Sequence, residues 1–131
     1  MTHRFSLEGQ VAIVTGASRG LGYEMARAIG ESGAKVYLTA RGVERLEAVV
    51  ARLRDEGIDA VALPFDLADS QACLAAVEEV TTADGRLDIL VNNAGINAWE
   101  PLHEATVETW DRVFRTNVNA TYLLCREAAR H

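Results

Sequence analysis

The sequence predicts an α/β fold: a doubly wound parallel sheet that stops after about four strands and four helices. Three observations lead there. Short β-branched runs alternate four times with longer segments of helical period, an order that implies right-handed crossovers and helices on both faces of the sheet. A glycine-rich turn stands where the first run hands over to its helix. No repeat, linker or low-complexity stretch interrupts the alternation, so residues 1–131 read as one domain.

The first strand is Val11-Ala12-Ile13-Val14-Thr15, an apolar run suited to burial on both faces, and it breaks at Gly16. From Gly20 the period turns helical: Leu21, Met25 and Ile29 recur every fourth residue, and Gly33 closes the segment. Lys35 to Ala40 form the second strand. Leu46, Val49, Val50 and Leu53 mark one face of a second helix that ends near Gly57. Val61 to Phe65 form the third strand, shortened by Pro64, which has no N–H to give the ladder. Ser70 is expected to cap a third helix with Leu74, Val77 and Val80 inside. Leu87 to Val91 form the fourth strand, which ends in Asn92-Asn93-Ala94-Gly95. A long helix is expected from near Thr106, its apolar face made of Trp110, Val113, Phe114, Val118, Thr121, Leu124, Cys125 and Ala128. That period is intact at His131, with no capping glycine or proline, and sheets of this kind normally continue for about two or three more strands. The chain is therefore expected to be the first part of a longer fold.

Hydrophobic residues make up 49% and charged residues 24%, ordinary for a globular domain with a real core. A net charge of -6 argues against nucleic acid or an anionic membrane surface as the main partner. No apolar run approaches the roughly 18 to 20 residues of a membrane span, and the N-terminus has no signal-peptide core. Cys73 and Cys125 sit in apolar helical patterns and read as buried, reduced thiols of a cytoplasmic protein. His3, His103 and His131 show no ligand spacing, so no metal site is expected.

Thr15-Gly16-Ala17-Ser18-Arg19-Gly20-Leu21-Gly22 occupies the strand-to-helix turn. Glycines there permit a tight turn and close approach of backbone to a pyrophosphate, while the helix N-terminus offers free N–H groups and positive dipole. Their spacing is T-G-x-x-x-G-x-G, not the more usual G-x-G-x-x-G. With Asp66-Leu67 after the third strand, Asn92-Asn93-Ala94-Gly95 after the fourth and Asn117 in the long helix, the sequence resembles the short-chain dehydrogenase/reductase family over essentially the whole chain. The spacing departs from the T-G-x-x-G-x-x-G of that family's extended branch and favours the compact one.

The resemblance implies a Rossmann-type fold and hydride transfer between a nicotinamide and a carbonyl or secondary alcohol. It makes Gly16, Ser18, Arg19, Gly20, Leu21 and Gly22 of the turn cofactor-binding, puts Asp66-Leu67 where the family's aspartate contacts the adenine, and lays the segment with Asn93, Ala94 and Gly95 along the cofactor. An NAD site usually carries an acid at the end of the second strand to accept from the ribose 2′-hydroxyl. Here that corner reads Thr39-Ala40-Arg41-Gly42. Arg41 and Arg19 converging there suit a 2′-phosphate, so NADP(H) is expected over NAD(H).

Asn117 lies on the apolar face of the long helix, where a buried amide needs partners. Bonding to a neighbouring strand is one reading. The resemblance gives another, in which the matching asparagine supports a water linked to the catalytic lysine. The family's Tyr-x-x-x-Lys does not occur: Tyr23, Tyr37 and Tyr122 are followed four residues on by Arg27, Arg41 and Arg126. These 131 residues are therefore expected to bind cofactor without turnover. Three readings follow. The first is part of an NADP(H)-dependent reductase acting on a small carbonyl or alcohol, akin to 3-oxoacyl-carrier-protein reductases or gluconate 5-dehydrogenases. Phe5-Ser6-Leu7-Glu8-Gly9 and Thr116-Asn117-Val118-Asn119-Ala120 look like the latter. The second is a non-catalytic NADP(H)-binding module. The third is a non-functional truncation, marked by an exposed apolar stripe from Trp110 to Ala128. For the complete enzyme a homodimer or homotetramer is expected.

Overall fold

In the computed structural model, which describes residues 4–131, alternate residues of each strand point to opposite faces, and that alternation creates two cores. The strands are β1 (Val11–Val14), β2 (Lys35–Leu38), β3 (Ala60–Ala62) and β4 (Ile89–Val91). They form one parallel sheet in the order β3-β2-β1-β4. Val14, Val36 and Leu38 point into the cluster built with α1 (Gly20–Glu31) and α2 (Val43–Asp55). Val11, Ile13 and Tyr37 point into the cluster built with α3 (Ser70–Asp84) and the final helix. Because β1 pairs with both β2 and β4, the chain reverses direction across the sheet at β1. A crevice opens at the carboxyl ends of the strands at such a switch point.

The helices settle by what each can bury. Leu46, Val49, Val50 and Leu53 of α2 are all buried, as their spacing predicts. In α1 the expected Leu21-Met25-Ile29 face holds only in part: Ile29 packs against the core and Met25 is half-buried, but Leu21 is 77% exposed and the fully buried residues are Gly22 and Ala26. At its N-terminal end this helix lies close enough to the glycine turn that a Cβ on Gly22 would meet the Gly16 carbonyl. The cap of α3 is Asp69, not Ser70, since the Asp69 carboxylate accepts from the backbone N–H groups of Gln71 and Ala72.

The last helix departs most from expectation. It runs as α4 (Val107–Phe114), one π-helical turn at Arg115–Asn119, and α5 (Ala120–Ala128), with Thr106 as N-cap. Ala120 and Leu124 are its buried residues, and Leu123 and Ala128 pack beside them. Trp110, Phe114, Val118 and Tyr122 form an exposed row at four-residue spacing, so much of the expected apolar face meets solvent. Cys125 is exposed too, which corrects the expectation of two buried thiols; only Cys73 is buried. The fourth strand runs from Ile89, and Asp88 just before it is tied to β1 twice: its backbone N–H donates to the Val11 carbonyl and its carboxylate accepts from Val11 N–H.

Among the described residues no helix is long and apolar enough to cross a membrane. Nor do three or more His, Cys, Asp or Glu side chains gather there as a metal site would require. His3 lies outside the described residues.

Candidate functional site

Thr15 ties the first strand to the fourth. Its buried Oγ1 accepts from the backbone N–H groups of Asn93 (3.1 Å) and Ala94 (3.0 Å) and donates to the carbonyl of Val91 (3.3 Å). The Asn93 side-chain amide returns the link, donating to the carbonyls of Thr15 and Gly16. The glycine turn is thereby clamped onto the end of β4. Gly16 takes a left-handed φ of +63°, and a Cβ there would stand 2.9 Å from Ala94 Cα. A Cβ on Gly22 would meet the Gly16 carbonyl oxygen at 2.2 Å and the Asn93 amide at 2.6 Å. Arg19, the N-cap of α1, makes no side-chain cap bond, so the first-turn N–H groups of Gly20, Leu21 and Gly22 stay free.

These groups border a cleft of about 760 Å³ across the carboxyl ends of the strands. Gly16, Ser18, Arg19, Gly20, Leu21 and Gly22 form one wall, with Arg41 at the end of β2. Asp66 and Leu67 border it after β3, and Asn93, Ala94 and Gly95 after β4. The structure thus brings together every residue that the sequence nominated for cofactor binding. Asp66 Oδ1 accepts from Ala68 N–H, which holds the carboxylate at the turn into α3. Cys73, beneath this turn, donates its thiol to the Leu67 carbonyl; burial first, then the Asp69 and Asp66 carboxylates, push its pKa up to about 11. It remains a thiol at neutral pH.

Sequence reasoning missed two of the cleft's cations. Arg45, in the first turn of α2, and Arg112, on α4, line it beside Arg19 and Arg41. None of the four forms an ion pair among the described residues, whereas Arg27, Arg86, Arg126, Arg130 and Lys35 all do. Asp66 is the single carboxylate in the lining. A chain of net charge -6 therefore concentrates unpaired positive charge at one place, the arrangement that attracts and holds polyanions. The turn from Gly42 to Arg45 carries no signal for this in sequence, because arginine in a first helical turn is ordinary surface chemistry.

Asn117 sits in the π-helical turn, half-buried, and both ends of its amide are used. Its Oδ1 accepts from Ile96 N–H and its Nδ2 donates to the Ile96 carbonyl, each at 2.8 Å. Its partner is thus the loop after β4, not a strand. Ile96 lines the cleft, so Asn117 braces the cleft floor from behind.

A family model described as short chain dehydrogenase matches residues 10–131. The chain is 40% identical over 127 residues to a gluconate 5-dehydrogenase of Gluconobacter oxydans, covering 97% of this chain and 50% of that protein. It is 42% identical over 132 residues to versicolorin reductase 1 of Aspergillus parasiticus, again half of the relative's length. The chain therefore spans about half the length of the relatives it matches. A metagenomic short-chain oxidoreductase solved in complex with NADP superposes with a TM-score of 0.92 at 46% identity, over 95% of this chain and 57% of that one. A gluconate 5-dehydrogenase of Burkholderia cenocepacia, solved with NADP and tartrate, gives 0.88 at 37% identity, over 98% of this chain and 50% of that one.

Proposed function

This chain belongs to the short-chain dehydrogenase family, and from that premise we propose that its cleft binds NADP(H) in preference to NAD(H). The observation that carries the reading is the set of three arginines, Arg19, Arg41 and Arg45, which form no ion pair among the described residues and border the cleft where the second strand ends without an acid. Gly16, Ser18, Gly20, Leu21 and Gly22, at the free N-terminus of α1, take the pyrophosphate. Arg19, Arg41 and Arg45 take the 2′-phosphate by charge-assisted hydrogen bonds. Asp66 and Leu67 meet the adenine, and Asn93, Ala94 and Gly95 lie along the cofactor. The fit rests on space as well as charge: Gly20 has φ +57° with nothing within 4 Å of an added Cβ, so the turn is open toward the cleft.

Bound there, the dinucleotide supplies hydride chemistry on a carbonyl or secondary alcohol. In the whole enzyme we assign a small carbonyl or alcohol substrate, of the gluconate 5-dehydrogenase kind before the 3-oxoacyl-carrier-protein reductase kind. Gluconate-type relatives and the segments 5–9 and 116–120 support that order. Asn117 serves the proton relay of that enzyme by holding the loop at Ile96 and supporting a water there. The exposed row of Trp110, Phe114, Val118 and Tyr122, with the first two rings stacked at 4.5 Å, is the surface through which the complete enzyme assembles as a homodimer or homotetramer in the cytoplasm.

A second reading has its own observation. No Tyr-x-x-x-Lys occurs in the 131 residues, so this polypeptide by itself is a cofactor-binding module without turnover. Incubation with NADPH and 5-keto-D-gluconate, followed by NADPH fluorescence, tests both. We expect a binding signal and no consumption of NADPH. Consumption would contradict the non-catalytic reading, and an unchanged fluorescence and anisotropy would contradict the cofactor reading.

A further inference from the structure

We propose that Arg112 binds the adenine base of the dinucleotide, laying its guanidinium plane against the ring; this rests on the cofactor reading above. The four cleft arginines are not equivalent. Arg19 caps α1, Arg41 follows β2 and Arg45 lies in the first turn of α2, so these three belong to the helical layer of α1 and α2. Arg112 belongs to the opposite layer. Its helix continues through the π-helical turn into α5, whose Ala120 and Leu124 pack in the same core cluster as Cys73, Val77 and Val80 of α3. Asp66, Leu67 and Ala68 lead into α3, and Leu67 packs against that cluster as well. Arg112, with Thr116 one turn further on, therefore faces the cleft from the wall that also carries Asp66 and Leu67.

The phosphates have their cations on the other wall, three guanidiniums and a helix N-terminus. A fourth cation across the cleft is not needed for them. Among the described residues Phe65 is the one aromatic side chain in the lining, so a planar guanidinium is the other kind of flat partner the base can meet there. A guanidinium is planar, weakly hydrated at its faces and attracted to a π system, and Arg112 has no ion pair among the described residues to hold it elsewhere. Asp66, on the same wall, then meets the edge of the base whose face Arg112 covers.

Calorimetric titration of the 131-residue chain with adenosine 2′,5′-bisphosphate and, separately, with inorganic pyrophosphate tests this. Arg112 is exposed, so its substitution leaves the fold intact, and the melting curve of each variant checks that. For Arg112→Ala we expect about tenfold weaker binding of the adenosine ligand, the size of a partly desolvated cation–π contact, and unchanged binding of pyrophosphate. Arg112→Lys keeps the charge but loses the plane, and we expect it to recover less than half of the lost affinity on a logarithmic scale. Equal affinity of Arg112→Ala and the parent overturns the proposal. So does full recovery by lysine, or an equal loss toward pyrophosphate, since either makes Arg112 a phosphate cation. Failure of the parent chain to bind the adenosine ligand overturns the cofactor reading itself, and this proposal with it.

Discussion

Gly22 has no room for a methyl group. The nearest atoms to an added Cβ are a backbone carbonyl oxygen at 2.2 Å and the Asn93 amide at 2.6 Å, neither the loose end of a flexible side chain. Gly22→Ala must therefore push α1 away from the turn, breaking the Asn93 bonds to Thr15 and Gly16. Overpacking of this kind costs about 1–3 kcal/mol, and urea unfolding should show a loss in that range together with loss of NADPH binding. Gly20→Ala meets open space, and its cost comes from the left-handed φ of +57° alone. The glycine turn was legible in the sequence because a tight turn and a close approach demand glycine at local spacings. Arg45 and Arg112 were not, since their meeting at the cleft depends on how α2 and α4 are placed around the sheet. Asn117 was legible as an amide in need of partners, but that its partner is Ile96 on the β4 loop depends on the tertiary fold.

At the scale of elements, boundaries followed hydrogen bonding more closely than hydrophobic pattern. The third helix shows this: Asp69 and Ser70 are both good cap residues, and the backbone geometry selected Asp69. Asp69→Ala should cost about 1 kcal/mol in denaturant unfolding, while Ser70→Ala should stay within about 0.5 kcal/mol. The far end of the same helix is held by Asp84, which accepts from Lys35 Nζ and the Tyr37 hydroxyl on β2. Burial alone would raise the Asp84 pKa; the hydrogen bonds from Lys35 and Tyr37 outweigh it and hold the carboxyl below its ordinary value near 3.8. Lys35 is raised, mainly by its bond to Asp84. A lowered acid stabilises the fold above its unfolded pKa and loses that contribution as pH falls through the folded one. The raised lysine contributes below its unfolded pKa and loses this as pH rises through its folded value. Stability should thus fall below about pH 4, and Asp84→Asn should flatten that acid limb of the melting-temperature profile. An unchanged acid limb in the variant would show that other carboxylates set it.

Over the whole molecule, two surfaces stand out against an acidic background. One is the cleft, where four of the thirteen basic side chains meet around a single carboxylate. The other is the row from Trp110 to Tyr122, 62% exposed at each end, on a helix whose opposite side is buried. The alternation of four strands with helices predicted the parallel sheet and its two covered faces. It did not predict which side of the last helix turns inward, because that helix is apolar on more than one side and only packing against α3 and β4 selects Ala120 and Leu124. The central claim, that the cleft is built for a 2′-phosphorylated dinucleotide, is tested most directly by calorimetric titration of the 131-residue chain with NADPH and with NADH at low ionic strength. Charge-assisted bonds from the arginine corner should make NADPH bind about ten- to a hundredfold more tightly. Equal affinities, or tighter binding of NADH, would contradict the assignment of that corner.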